Sequence, residues 1–319
     1  MNPRAPELNA RSLALVETLI ADADTLGIHV LPGSPGRILD FGIDTAGGLE
    51  AGVALAKVCL ADLAQVSIVS GEVAGTPSPW VEMRTDHPVA ACLASQYAGW
   101  AVQVDDYFAM GSGAMRAAYG GEKLFETVQM REKPQQVVGV LESRQIPTSA
   151  AMTWIAKKTG VNVDDVHLLV APTASLAGGV QVVSRSVETA LHKLHELEFD
   201  LDRVVSGRGQ APLPPVAKGD LEAIGRTNDC ILYGATAWLW VRGDDASLEE
   251  IGPRVPSSSS SDHGRPFIEL FERYDRDFYK IDPMLFSPAR VIFQNIESGR
   301  THVFGDTAEE VLARSLFSS

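Results

Sequence analysis

The sequence predicts a mixed α/β fold arranged as two α/β domains, on three observations. Helical apolar periods, short β-branched runs and glycine- or proline-rich breaks alternate along the chain. With 319 residues, 45% of them hydrophobic, it can bury a substantial core, and the usual domain size suggests about two domains. The longest apolar stretch, 89–104, is interrupted by Ser95, Gln96 and Gln103 and does not read as a membrane span.

The elements follow in order. Residues 11–26 place Leu13, Val16, Leu19, Ile20 and Leu26 at helical intervals, and Gly27 supplies a stop. Residues 42–63 read as a Gly47–Gly48 turn running into a helix, with Leu49, Val53, Leu55, Ala56 and Leu60 on its apolar side. Six short apolar runs, 66–69, 89–93, 137–141, 166–170, 231–241 and 291–293, read as strands. The break IPTSA, within 143–150, sets the expected boundary between domains at 1–145 and 146–319, with the chain free to cross between them. GRGQAPLPP (207–215) should be extended around its prolines, and PSSSSSDHG (256–264) should be a polar loop.

A formal charge of −14 and a pI near 4.9 leave no basic surface to track a phosphate backbone, which excludes nucleic acid as an expected partner. Cys59, Cys92 and Cys230 are widely spaced and form no C-x-x-C pattern, which fits a reducing compartment. The opening MNPRAPELNARS lacks the basic-then-apolar layout of a signal, so a cytoplasmic protein without membrane attachment is expected.

Chemistry concentrates in SLAGGVQVVSRSVETALHKLHEL, 175–197. Val180, Val183, Val187, Leu191 and Leu194 form one helical stripe, and Gln181, Arg185, Glu188, His192 and His195 recur on the other side. Three readings are open. The polar stripe is a solvated face with an ordinary Arg185–Glu188 pair; or Glu188, His192 and His195 hold a metal; or Arg185 keeps Glu188 ionised and aimed for general-base work. Spacing alone does not choose.

The run YFAMGSGAMRAA (107–118) puts Gly111, Ser112 and Gly113 before a helix. Free N–H groups there could receive an anion or carbonyl oxygen, or the glycines could simply make a tight turn. Its spacing is not that of a dinucleotide fingerprint. In LASQYAGW, GRTNDCILYG and FYKIDPMLFSPA polar residues interrupt apolar surroundings. Ser95, Gln96, Arg226, Thr227, Asn228 and Asp229 can read a heterocycle's edge, or serve caps and turns. His29, His87, His167 and His302 stand alone and read as structural.

Taken together, GGLEAG (47–52), HPVAACLASQYAGW (87–100), FAMGSGAMRA (108–117), PTASLAGGVQVVSRSVETALHKLHEL (172–197), GRTNDCILYG (225–234), PSSSSSDHGRPF (256–267) and FYKIDPMLFSPA (278–289) resemble the methenyltetrahydromethanopterin cyclohydrolase family of methanogenic archaea and methylotrophic bacteria. No counterpart is recognised for residues 1–12 and 301–319. The resemblance implies two α/β domains enclosing a deep pocket, a homotrimer, a pterin substrate, and neither metal nor redox cofactor. The family's arginine and glutamate on a pocket helix fall on Arg185 and Glu188, and Glu142 matches a further pocket carboxylate. Ala114 stands where proline often follows G-S-G, and His263 where an aromatic hydroxyl is expected. A metal-dependent hydrolase, a non-catalytic pterin-binding protein, and a folate-specific cyclohydrolase or dehydrogenase are the competing classes.

Overall fold

Short runs rich in β-branched or aromatic residues supply most of the strands, and the computed structural model assembles these into two separate six-stranded sheets. The structure describes residues 7–32, 35–275 and 280–317. In chain order, α1 (Leu8–Ala21) and the single turn α2 (Ala23–Leu26) lead to β1 (His29–Leu31), β2 (Arg37–Asp40) and α3 (Leu49–Cys59). The hairpin β3 (Gln65–Val73) and β4 (Thr76–Thr85) is followed by a π-helical segment, Val89–Gln96. Next come β5 (Trp100–Val104), β6 (Tyr107–Ser112), α4 (Met115–Tyr119), α5 (Leu124–Val128), β7 (Val137–Glu142), α6 (Ser149–Thr159) and β8 (Val166–Ala171). The chain continues through α7 (Leu176–Val183), α8 (Ser186–Glu196), β9 (Val204–Pro212), α9 (Asp220–Asp229), a π-helical turn at Cys230–Gly234 and β10 (Thr236–Val241). It ends with α10 (Asp245–Ile251), α11 (Phe267–Arg273), β11 (Arg290–Asn295), β12 (Thr301–Phe304) and α12 (Glu309–Phe317).

Two compact units result. One takes the chain up to Ala64 together with Ala90–Gln181, and the other takes Gln65–Val89 and the chain from Val182 onward. Residues 143–150, where composition suggested a boundary, lie inside the first unit. They open a crossover in which β7 passes through α6 to β8, its parallel neighbour, so the proline break serves a β–α–β loop rather than a linker.

The first sheet runs β1-β2-β8-β7-β6-β5, parallel among β2, β8 and β7 and antiparallel at its flanks. Alternation along its central strands serves two cores. Val137, Leu141, Leu168 and Val170 meet Met152 and Ile155 of α6, while Val138, Val140 and Leu169 meet Val16 of α1 and Leu55 and Val58 of α3. The second sheet runs β12-β11-β10-β9-β4-β3, with only β10 and β11 parallel. The buried stripe of α8, Val187, Leu191 and Leu194, lies on the β9–β10 part of this sheet.

Three expectations need correction. The run 89–93 is helical: it is dominated by alanine and leucine, and Pro88 sits where a first helical residue lacks a use for its N–H. In 231–241 the strand begins only at Thr236. The single helix expected over 175–197 is two, broken at Ser184–Arg185. By contrast, the extended reading of 207–215 agrees with β9 over its first six residues, and PSSSSSDHG is irregular apart from one short turn. Among the described residues no helix is long and apolar enough to cross a membrane.

Candidate active site

The break before α8 builds the site. Arg185 occupies the N-cap position, and its carbonyl accepts the Thr189 N–H at 2.9 Å. Glu188 therefore falls in the first turn, where the helix's unpaired N–H groups favour a negative charge. Arg185 Nη1 stands 3.8 Å from Glu188 Oε2, and the two side chains are only 7% and 5% exposed. Burial removes the solvated-face reading. Two charges so close and so little exposed interact in a far weaker dielectric than water.

His192 and His195 are only half-buried, with ring centroids 6.4 Å apart, and His192 Nε2 stands 3.8 Å from Glu196. Among the described residues no group of three or more His, Cys, Asp or Glu side chains is placed to hold a metal ion. Gln181, on the same sequence stripe, is buried in the first unit and donates to Cys59 Sγ at 3.4 Å.

Lys193 escaped the sequence reading. It is buried on α8, and its ammonium donates to Ser259 Oγ at 3.1 Å and to the Met284 carbonyl. Burial pushes its pKa down to about 8, opposed by the Asp282 charge and assisted by Arg254. The serine run is thus a bonded platform under the helix. Ser257 donates to the Leu232 carbonyl, Ser260 to Asp282 at 2.6 Å, and Asp262 accepts from Tyr274 Oη at 2.8 Å. Phe278 and Tyr279, which open the FYKIDPMLFSPA motif, lie outside the described residues.

In the first unit the G-S-G motif is structural in its contacts. Gly113 has φ +87°, and its N–H donates to the Ser95 carbonyl at 2.8 Å, so that donor is already used inside the protein. A Cβ at Gly111 would stand 2.9 Å from the Trp100 carbonyl. Ser112 Oγ lies 3.3 Å from the Val140 carbonyl and 3.2 Å from Cys59 Sγ, and Ser95 Oγ donates to the Cys59 carbonyl at 2.7 Å. Gln96 is fully buried at the end of the π-helical segment.

Arg116, also missed in the sequence, binds this block together. Completely buried, it donates to the carbonyls of Leu93 and Ser95 at 2.8 and 3.2 Å and to both Glu122 oxygens at 2.9 Å. An arginine inside the small, apolar run AMRAA was the available signal. Glu142 ends β7, half-buried, opposite Met110 on β6 and Ala171 on β8.

The remaining candidates lie on α9. Thr227 and Asn228 donate to carbonyls one turn back, Ala223 and Ile224, each at 2.8 Å. Asp229 is fully buried, accepting the Phe267 N–H at 2.8 Å and the Ser315 hydroxyl, so it ties α9 to α11 and α12. Burial pushes its pKa up to about 7, against those two hydrogen bonds and with a small push from Glu269. Only Arg226 of the four lines a cavity of about 300 Å³, and there it pairs with Glu222 at 2.7 Å. The structure thus joins Arg185 to Glu188, and Ser95 to Gly113. It turns Thr227, Asn228 and Asp229 toward protein partners. Of the isolated histidines, His167 is buried in β8 and His302 meets Asp245 at 3.0 Å.

An α/β protein with a solvent-excluded arginine–carboxylate pair at a helix start has the equipment of an enzyme that keeps one carboxylate charged and fixed for proton transfer. The chain belongs to the family described as Cyclohydrolase (MCH), whose model matches residues 7–316. That match takes in residues 7–12 and 301–316, within the two ends whose motifs alone show no counterpart. A protein named methenyltetrahydromethanopterin cyclohydrolase from Rhodopirellula baltica is 47% identical over 97% of this chain and 95% of its own. Proteins of the same name from Xanthobacter autotrophicus and Methanosarcina barkeri are 43% and 38% identical, covering 98% and 97% of this chain and 93% and 97% of theirs.

Proposed function

We propose that this enzyme hydrolyses 5,10-methenyltetrahydromethanopterin, or its dephosphorylated form, to the 5-formyl pterin, reversibly, in one-carbon metabolism. The observation that carries the mechanism is the buried Arg185–Glu188 pair. Family membership over nearly the whole chain, with relatives bearing that name, supports the substrate.

The methenyl carbon lies between two nitrogens that share a positive charge, so it is already electrophilic. Water is the missing reagent. Glu188 takes a proton from water as its oxygen attacks that carbon, and Arg185 keeps the carboxylate ionised and oriented. The tetrahedral adduct then breaks its bond to the aryl-amine nitrogen, which receives the proton from Glu188, while the adduct's hydroxyl proton passes to solvent as the carbonyl forms, leaving the formyl group on the other nitrogen. No electron leaves or enters the substrate, and neither a metal nor a nicotinamide is called for.

A homotrimeric, cytoplasmic enzyme, in some hosts serving methylotrophy, completes this reading, and sedimentation tests the trimer. The function itself is tested by following the ultraviolet absorbance of the methenyl pterin with purified, metal-stripped protein. The absorbance should decay to that of the formyl product. A flat trace with competent substrate overturns the assignment and leaves a pterin-binding protein.

A further inference from the structure

The N-terminus of α8 lies against two glycines of β9, Gly207 and Gly209. They stand two residues apart and so face the same side of the sheet. A Cβ on Gly209 would come within 2.1 Å of Ser186 Oγ, 3.0 Å of Ser186 Cβ and 3.0 Å of Val187 Cγ2; one on Gly207 would meet Val187 Cγ1 at 2.8 Å. Arg208 between them faces away, bonded to Glu82 and stacked over Trp238 with its guanidinium carbon 4.6 Å from the ring centroid. Ser186 and Val187 fill the interval between Arg185 and Glu188. Whatever sets their depth on the sheet sets the placement of both charged groups.

We infer that Gly207 and Gly209 are positioning residues, holding the start of α8 at the depth where the Arg185–Glu188 pair works. The inference rests on the catalytic reading of that pair. Strand interiors disfavour glycine, so a close backbone approach is the reason to place it there twice. The approach is also rigid. Ser186 and Val187 are fully buried, Val187 is stiff at χ1, and Gly207 and Gly209 pair on one side with Leu239 and Ala237 of β10 and on the other with Thr85 and Met83 of β4. With the strand held from both sides, an added methyl moves the helix rather than the sheet.

Gly209→Ala, made in the parent protein and again on top of Glu188→Gln, tests this. In the parent, kcat should fall about tenfold or more with KM little changed, since a misplacement of about an ångström is enough for losses of that size. On top of Glu188→Gln the same substitution should cost little, because the group it displaces has already lost its function. Equal costs in both backgrounds overturn the positioning role. A Glu188→Gln protein as fast as the parent overturns the catalytic reading instead, so the two failures are distinguishable. Should Gly209→Ala not fold, Gly207→Ala with and without Val187→Ala serves. The relieving change should restore most of kcat, and a failure to restore it in a folded double variant contradicts the inference.

Discussion

Arg185 Nη1 lies 3.8 Å from Glu188 Oε2, beyond hydrogen-bond length, with both side chains more than nine-tenths buried. A surface pair of this spacing contributes under about 1 kcal/mol. Buried, each charge leans on the other, because removing one partner takes an opposite charge away from the second in a weak dielectric.

The two residues should therefore behave as one unit. Arg185→Ala should slow turnover, and the Arg185→Ala/Glu188→Gln double variant should cost less than the product of the single losses, as measured by kcat in a double-mutant cycle. Strict multiplicativity means that Arg185 acts elsewhere.

A second buried pair should matter for folding instead. Arg116 is wholly buried and its salt bridge to Glu122 is backed by two carbonyls and by the Tyr97 and Phe125 rings, 5.0 and 5.4 Å from its guanidinium carbon. Glu122→Ala should destabilise the protein by about 3 kcal/mol, seen as a fall in the urea midpoint. A midpoint near that of the parent refutes the claim that this arginine depends on its carboxylate.

Asp229 gives a pH signature. Its pKa is raised from 3.8 to about 7, by burial first. The folded protein then keeps a proton that the unfolded chain releases, so this contribution to stability is full below about pH 4 and is lost as pH rises through 7. Asp229→Asn cannot ionise. The melting temperature of the variant relative to the parent should climb between about pH 4 and about pH 7 and level off above that, and a pH-independent difference contradicts the account.

How much of this was legible beforehand depended on what packing added. The α8 stripe Val187, Leu191 and Leu194 was readable because one buried face imposes a period on the sequence. The polar stripe was readable only as a pattern: whether Arg185 and Glu188 face water depends on what covers them. Strand β4 was hidden by Pro77 and Pro79, which lie beyond the part of the strand paired with β9. The crossover of the β3–β4 hairpin into the second unit left no mark, since β4–β9 pairing joins residues more than a hundred positions apart. Lys193 looks like an ordinary surface residue in sequence, and only the surrounding oxygens show otherwise, whereas for Arg116 the sole sequence signal is its place inside the small, apolar run AMRAA. In sequence the G-S-G and T-N-D segments suit ligand-facing donors as readily as local ones, and the partners of Gly113, Thr227 and Asp229 given by the structure are internal.

The central claim is that Glu188 accepts the proton from water, and Glu188→Gln isolates that step because it keeps the side chain's shape while removing its basicity. With saturating methenyl pterin, followed by its ultraviolet absorbance, kcat should fall by roughly 10²–10⁴-fold while substrate binding is largely kept. A variant that retains more than about half of the parent's kcat contradicts the general-base role.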